Sequence, residues 1–104
     1  MKAMIKAYPV FLKEYNGDTL VYVPDLDIYT EGHGIPDAIA MARDAIGLKW
    51  TSYNDAEREF PEASSVEEAK KKAQNDADED FDYSDGILTF VDVDFETYRN
   101  SRRP

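Results

Sequence analysis

The chain has no cysteine, a single histidine, and no apolar run approaching the roughly 20 residues that cross a bilayer. The first absence excludes disulfides and thiolate chemistry, and nothing points to an oxidising compartment. The second excludes a histidine cluster for a metal ion. His33, between Gly32 and Gly34, reads as an exposed strand-end residue rather than a general base. A glycine-rich phosphate cradle and a serine nucleophile elbow are also missing. The opening MKAMIKAYPV is interrupted by Lys6 and Pro9 too early for a signal peptide, so the expected address is the cytoplasm. Basic residues are scarce as well: 12 Lys and Arg stand against 22 Asp and Glu, a net charge of −10. Such a surface repels nucleic-acid phosphates at long range and speeds encounter with a basic partner.

What is present fits one soluble globular domain spanning residues 1–104, with 42% apolar and 33% charged residues. At this length folding hides roughly 60–70% of the unfolded surface, enough for one core. The chain is organised around Leu20 to Trp50. LVYV reads as a strand, Pro24-Asp25-Leu26-Asp27 as a turn, and IYTEG as another strand. Ile35, Ile39, Ala42, Ile46 and Lys49/Trp50 then recur at steps of three and four, with Ala38 and Ala45 flanking. That is the apolar stripe of a helix pressed onto a sheet. Pro36 can occupy the first helical turn without loss of a hydrogen bond, and Asp37 complements the helix dipole.

Upstream, Met4 to Tyr15 reads as a strand whose Pro9 belongs on an edge or near the strand start, because proline cannot donate to a ladder. Asn16-Gly17-Asp18 predicts a hairpin into Thr19–Val23. With Asp27–Gly32 these segments form a three-stranded antiparallel meander. Gly47 marks either close packing or the end of the helix. Thr51 to Phe60 is polar, with few anchors. Ser64 or Ser65, with Glu67 or Glu68, makes a capping box for a second helix. Its weak stripe of Ala69, Ala73 and Ala77 predicts a lightly held surface helix.

The acidic run Asp76, Asp78, Glu79, Asp80, Asp82 and Asp85 must be tested as a calcium loop. It fails: Asp85 stands where the glycine is needed and Val91 where the bidentate glutamate is needed. The segment from about 76 to 86 reads instead as a solvated, self-repelling and mobile linker able to meet basic groups of a partner. Ile87 to Phe95 is a fourth strand, apolar on both faces and so expected to be well embedded. Tyr98 to Pro104 is a short basic tail. Paired carboxylates at Asp25/Asp27 and Asp92/Asp94 lie at period-two spacing, which acid chemistry or Mg²⁺ would want. Turn formation and a solvent-facing edge explain them without chemistry.

YPVFLKEYNGDTLVYVPDLDIYTEGHGIPDAIAMARDAIGL resembles the HicB family of bacterial antitoxins. The resemblance rests on Tyr8-Pro9, Asn16-Gly17, Pro24-Asp25-Leu26, Thr30-Glu31-Gly32 and the alanines from Ala38 to Ala45, in order and spacing. FPEASSVEEA and LTFVDVDFETYR extend it over nearly the whole chain. The resemblance implies an α+β, partial ribonuclease-H-like fold: the meander, a principal helix on one face, a weaker second helix and a fourth strand completing the sheet. It also implies a non-enzymatic antitoxin without cofactor or metal. Its partner would be a small basic HicA-like toxin that cleaves mRNA, and a homo-oligomer, a dimer or higher, is expected.

The chain has Gly34-Ile35-Pro36 where many members carry an Asp-Thr or Asp-Ser cap. Many members also continue past the Tyr-Arg segment into a DNA-binding domain, whereas this chain stops at Pro104, so direct DNA binding is not expected. The partner-binding residues anticipated are Tyr22, Asp25, Asp27, Tyr29 and Glu31. Two other functions compete: a solitary interaction module without a toxin, and a remnant Mg²⁺-dependent hydrolase using Asp25, Asp27, Asp92 and Asp94.

Overall fold

The computed structural model describes residues 4–79 and 81–101. Asp80 of the acidic run and Arg102, Arg103 and Pro104 of the basic tail lie outside the described residues. The architecture is α+β. Strands β1 (Ile5–Tyr15), β2 (Asp18–Val23) and β3 (Ile28–Gly32) precede helices α1 (Ile35–Asp55) and α2 (Val66–Asp76), then β4 (Ile87–Asp94) and α3 (Phe95–Ser101). The four strands form one antiparallel sheet in the order β3-β2-β1-β4. Asn16 and Gly17, at φ of 51° and 87°, turn β1 into β2 in the left-handed region that Asn-Gly tolerates. A single 3-10 turn, Pro24–Leu26, with Asp27 at φ 54°, turns β2 into β3.

Period-two alternation gives the sheet two faces. Tyr8, Val10, Leu12, Val21, Val23, Ile28, Val91 and Val93 form one face, and α1 covers it with Ala38, Ala42, Ile46 and Trp50. Ile46 is fully buried, which alone stabilises by about 2–3 kcal/mol. The helix's inner stripe therefore centres on Ala38, Ala42 and Ile46, while Ile35 stays 39% exposed. Gly47 marks close packing: a Cβ there would lie 2.3 Å from the Tyr98 ring. This contact seats α3 on α1, and the Trp50 ring stacks on Phe95 with centroids 5.0 Å apart.

Three expectations are corrected. The principal helix continues five residues past Trp50 to Asp55, because helical hydrogen bonding carries polar residues that have no stripe of their own. β4 is an edge strand rather than a well-embedded one. It pairs only with β1 and leaves Ile87 and Phe90 53% and 44% exposed. The segment from Phe95 is helical up to Ser101, because Phe95 docks on Trp50 and the Asp94 carboxylate accepts the Glu96 N–H. Pro9, as expected, lies where its strand is locally an edge, although β1 is central further along. β1 pairs with β2 only from Phe11 onward, so at Pro9 the ladder runs on the β4 side alone and no donor is required there.

The second helix is held more firmly than its alanines foretold. Ser65 and Glu68 form the full capping box. Ala69 and Ala73 are buried against Phe11 and Tyr22 on the sheet face opposite α1. Small side chains give little hydrophobic signal but allow the helix to lie close to those rings.

Candidate partner-binding site

β2 and β3 are in register with Tyr22 opposite Tyr29. Alternation directs both rings, and Glu31 two residues on, to the face that α2 partly covers. The paired rings stack with centroids 4.9 Å apart and planes inclined by 22°. The segment after α2 returns over this face as a 3-10 turn, Tyr83–Asp85, which brings Tyr83 within 5.1 Å of Tyr22 and 6.0 Å of Tyr29, centroid to centroid. Phe81 packs edge-on against Tyr83 at 4.6 Å. Together with Ala73, Ala77, Asp76 and Asp78 these four rings line an open cleft of about 310 Å³.

Negative charge surrounds the cleft. Tyr22 is buried and its hydroxyl donates to the Asp76 carboxylate. Burial, followed by this bond, raises the Tyr22 phenol well above its ordinary pKa. Tyr29 is raised by partial burial and then by the charges of Asp27, Asp76 and Asp78. Burial, Tyr29 and Glu31 raise Tyr83. Burial is the leading cause for all three phenols, and nearby carboxylates add to it. Lys13 approaches from the far side: its Nζ lies 4.7 Å from the Phe81 centroid, 2.9 Å from the Asp85 carboxylate and 2.6 Å from the Asp82 carbonyl.

Of the residues anticipated from sequence, Tyr22 and Tyr29 line this cleft, and Glu31 stands near enough to Tyr83 for its charge to raise that phenol. Asp27 is exposed beside Tyr29 at the turn. Asp25 points inward instead, with its side chain only 1% exposed. Its carboxylate accepts from the Ser64 N–H at 2.7 Å, from the Ser64 hydroxyl, and from Lys72 Nζ at 2.7 Å. Burial alone would raise the Asp25 carboxyl, but Lys72 and the Ser64 donors outweigh it and hold the group below the usual carboxylate range. Asp25 thereby pins the start of α2 to the β2–β3 turn.

Sequence reasoning passed over Asp76, Asp78, Phe81 and Tyr83 as site residues. The signals were the acidic run itself, read as able to meet basic groups of a partner, and two aromatics at period two inside it. Asp82 and Asp85 of that run serve local structure: Asp82 caps Ser84, and Asp85 pairs with Lys13.

The four carboxylates considered for Mg²⁺ do not assemble. Asp25 and Asp27 lie at the β2–β3 turn, while Asp92 and Asp94 lie on β4 at the opposite edge of the sheet. Asp92 is engaged by Arg43 at 3.0 Å. Among the described residues no three His, Cys, Asp or Glu side chains are grouped to hold a metal ion. The His33 ring is exposed, with Nδ1 2.9 Å from Asp18. No helix among the described residues is long and apolar enough to cross a membrane.

The same fold occurs in a chain of the toxin–antitoxin complex from Streptococcus pneumoniae. That chain is 25% identical, with a TM-score of 0.78 over 97% of the present chain and 77% of the other. The protein is thus built like a component of a bacterial toxin–antitoxin system. The family described as HicB-like antitoxin of bacterial toxin–antitoxin system matches residues 8–103, and the chain belongs to that family. No curated protein matches significantly.

Proposed function

We propose that the chain neutralises a small, basic, mRNA-cleaving toxin of the HicA type by binding to it directly. The observation that carries this reading is membership of the antitoxin family across residues 8–103. The net charge of −10 supports it independently, since a protein that grips RNA is positively charged and an acidic surface complements it. Inhibition is by occlusion: the antitoxin performs no chemistry and needs no cofactor. It works in the cytoplasm as a homo-oligomer, and its charge opposes direct contact with DNA. Tyr29, Asp27 and Glu31 are exposed on or beside the acidic cleft and form part of the contact surface, with Tyr22 as its floor. Asp25 contributes by holding α2 in place.

The test is an RNA-cleavage assay with a small basic toxin of the HicA type, sought first among the neighbouring genes. Cleavage should cease near equimolar addition of the purified chain. Continued cleavage in the presence of excess folded chain would reject the antitoxin reading in favour of a solitary interaction module. RNA degradation by the chain alone that requires Mg²⁺ would reject it in favour of the hydrolase.

A further inference from the structure

The cleft beside Tyr29 has a composition that an acidic surface alone does not explain. Tyr29 is 56% exposed, a large ring left open although it stacks on the buried Tyr22. Ring faces carry negative electrostatic potential, and here the carboxylates of Asp27, Glu31, Asp76 and Asp78 add to it. Among the described residues no lysine or arginine stands over Tyr22, Tyr29 or Tyr83. On the far side of the same cluster Lys13 lies over Phe81, so the chain itself supplies a cation to one ring. The volume of about 310 Å³ is at the lower end for small-molecule sites and suits one long side chain.

We propose that this cleft receives an arginine side chain of the protein partner, with the guanidinium plane on the Tyr29 ring and its N–H groups turned to the Asp76 carboxylate. The assignment rests on the antitoxin reading for the identity of the partner, while the cleft's preference for a guanidinium stands on its own geometry. A carboxylate has about four acceptor positions, so Asp76 can hold the Tyr22 hydroxyl and a guanidinium donor together. Arginine fits better than lysine because it is planar, stacks on aromatic faces, loses less hydration and presents a fork of donors. A phosphate or nucleobase strand is disfavoured by four surrounding negative charges. A toxin that contacts RNA carries arginines on the surface that must be masked, which supplies the occupant.

The experiment has two arms, both on the whole chain. In the first, N-acetyl-arginine amide, the isosteric but neutral N-acetyl-citrulline amide, and N-acetyl-lysine amide are titrated and followed by NMR. The arginine compound should give saturable shifts confined to Tyr22, Tyr29, Ala73, Asp76 and Tyr83, with millimolar affinity. Citrulline should bind at least about tenfold more weakly and lysine a few-fold more weakly. Tyr29→Leu should weaken arginine binding by roughly three- to tenfold, and Tyr29→Phe, which keeps the ring, should not. Tyr29 is exposed, so both variants should fold, and circular dichroism verifies that they do.

Shifts that are absent, spread over the surface or equal for citrulline would overturn the cleft as a cation receptor. Equal binding of the lysine compound would overturn the guanidinium assignment. In the second arm the basic toxin is titrated by calorimetry. Toxin affinity unchanged in Tyr29→Leu would show that the cleft is not the anchor even though the antitoxin reading holds. No toxin binding by the unmodified chain would instead remove the antitoxin reading.

Discussion

Replacing Asp25 with alanine tests how the second helix, and with it one wall of the cleft, is held. The carboxylate is 1% exposed and accepts from the Ser64 N–H, the Ser64 hydroxyl and Lys72. Its removal leaves the part-buried Ser64 N–H without its partner, at about 1–3 kcal/mol. The hydroxyl can rotate to another acceptor, and Lys72, whose side chain is half exposed, regains water, so the lost ion pair adds only about 0–1 kcal/mol. The expected total is about 1–4 kcal/mol. Asp25→Asn keeps an acceptor for Ser64 and loses the charge, so it should cost about 1 kcal/mol.

The two variants separate further with pH. The Asp25 carboxyl is held below its ordinary value of 3.8 when folded, so its contribution is complete above about pH 4–5 and is lost as pH falls through the folded pKa. Urea unfolding monitored by tyrosine and tryptophan fluorescence at pH 7 and at successive lower values reads both effects. The unmodified chain should lose part of its advantage over Asp25→Asn as the pH drops below 3.8. An Asp25→Ala chain within about 0.5 kcal/mol of the unmodified one at pH 7 would refute the argument, as would an asparagine variant as damaging as alanine.

Gly47→Ala ought to gain up to about 1 kcal/mol from helix propensity. The added methyl would lie 2.3 Å from the Tyr98 ring, so the net result should be a loss of about 1–3 kcal/mol by thermal unfolding. A stabilised variant would show that α3 is not seated there. Tyr8 donates to the Pro61 carbonyl at 2.6 Å, and burial, with the charges of Glu62 and Asp25, pushes its phenol up to about 12. A raised acid stabilises the folded state below its unfolded pKa of about 10, and that stability drains as pH rises from there through about 12. Alkaline unfolding compared with Tyr8→Phe should show a smaller loss in the variant over that interval. Identical alkaline slopes would contradict the assignment.

Much of this fold is written locally in the chain. The Asn16-Gly17 hairpin, the helical stripe read from Ile35 to Trp50 and a capping box at Ser64 or Ser65 each follow from spacing over a few residues; the structure has all three, with Ile35 left outside the stripe and Ser65 paired with Glu68 as the box. The parts that stayed hidden depend on partners distant in sequence. Ala69 and Ala73 carry almost no apolar signal, yet they cover Phe11 and Tyr22 because small side chains let the backbone approach. β4 is apolar on both faces, but one face meets α1 while Phe90 on the other is left open, and periodicity cannot separate an embedded strand from such an edge. Tyr22, Tyr29 and Glu31 were legible only as aromatic and acidic residues around the Pro24–Asp27 turn, and strand register then sets Tyr22 opposite Tyr29. Asp76, Phe81 and Tyr83 lie far along the chain from these residues, and only the path of the chain after α2 brings them to the same cleft. Asp25 shows the converse. A carboxylate in a turn signals an exposed group, and only the docking of Ser64 and Lys72 buries it.

Isothermal titration of the chain with the basic toxin, repeated as ionic strength rises from about 0.05 to about 0.5 M, probes direct electrostatic neutralisation most closely. A stable complex is expected at low salt, its affinity falling steadily as the charges are screened. An affinity indifferent to salt, or the absence of any complex between two folded proteins, would contradict it.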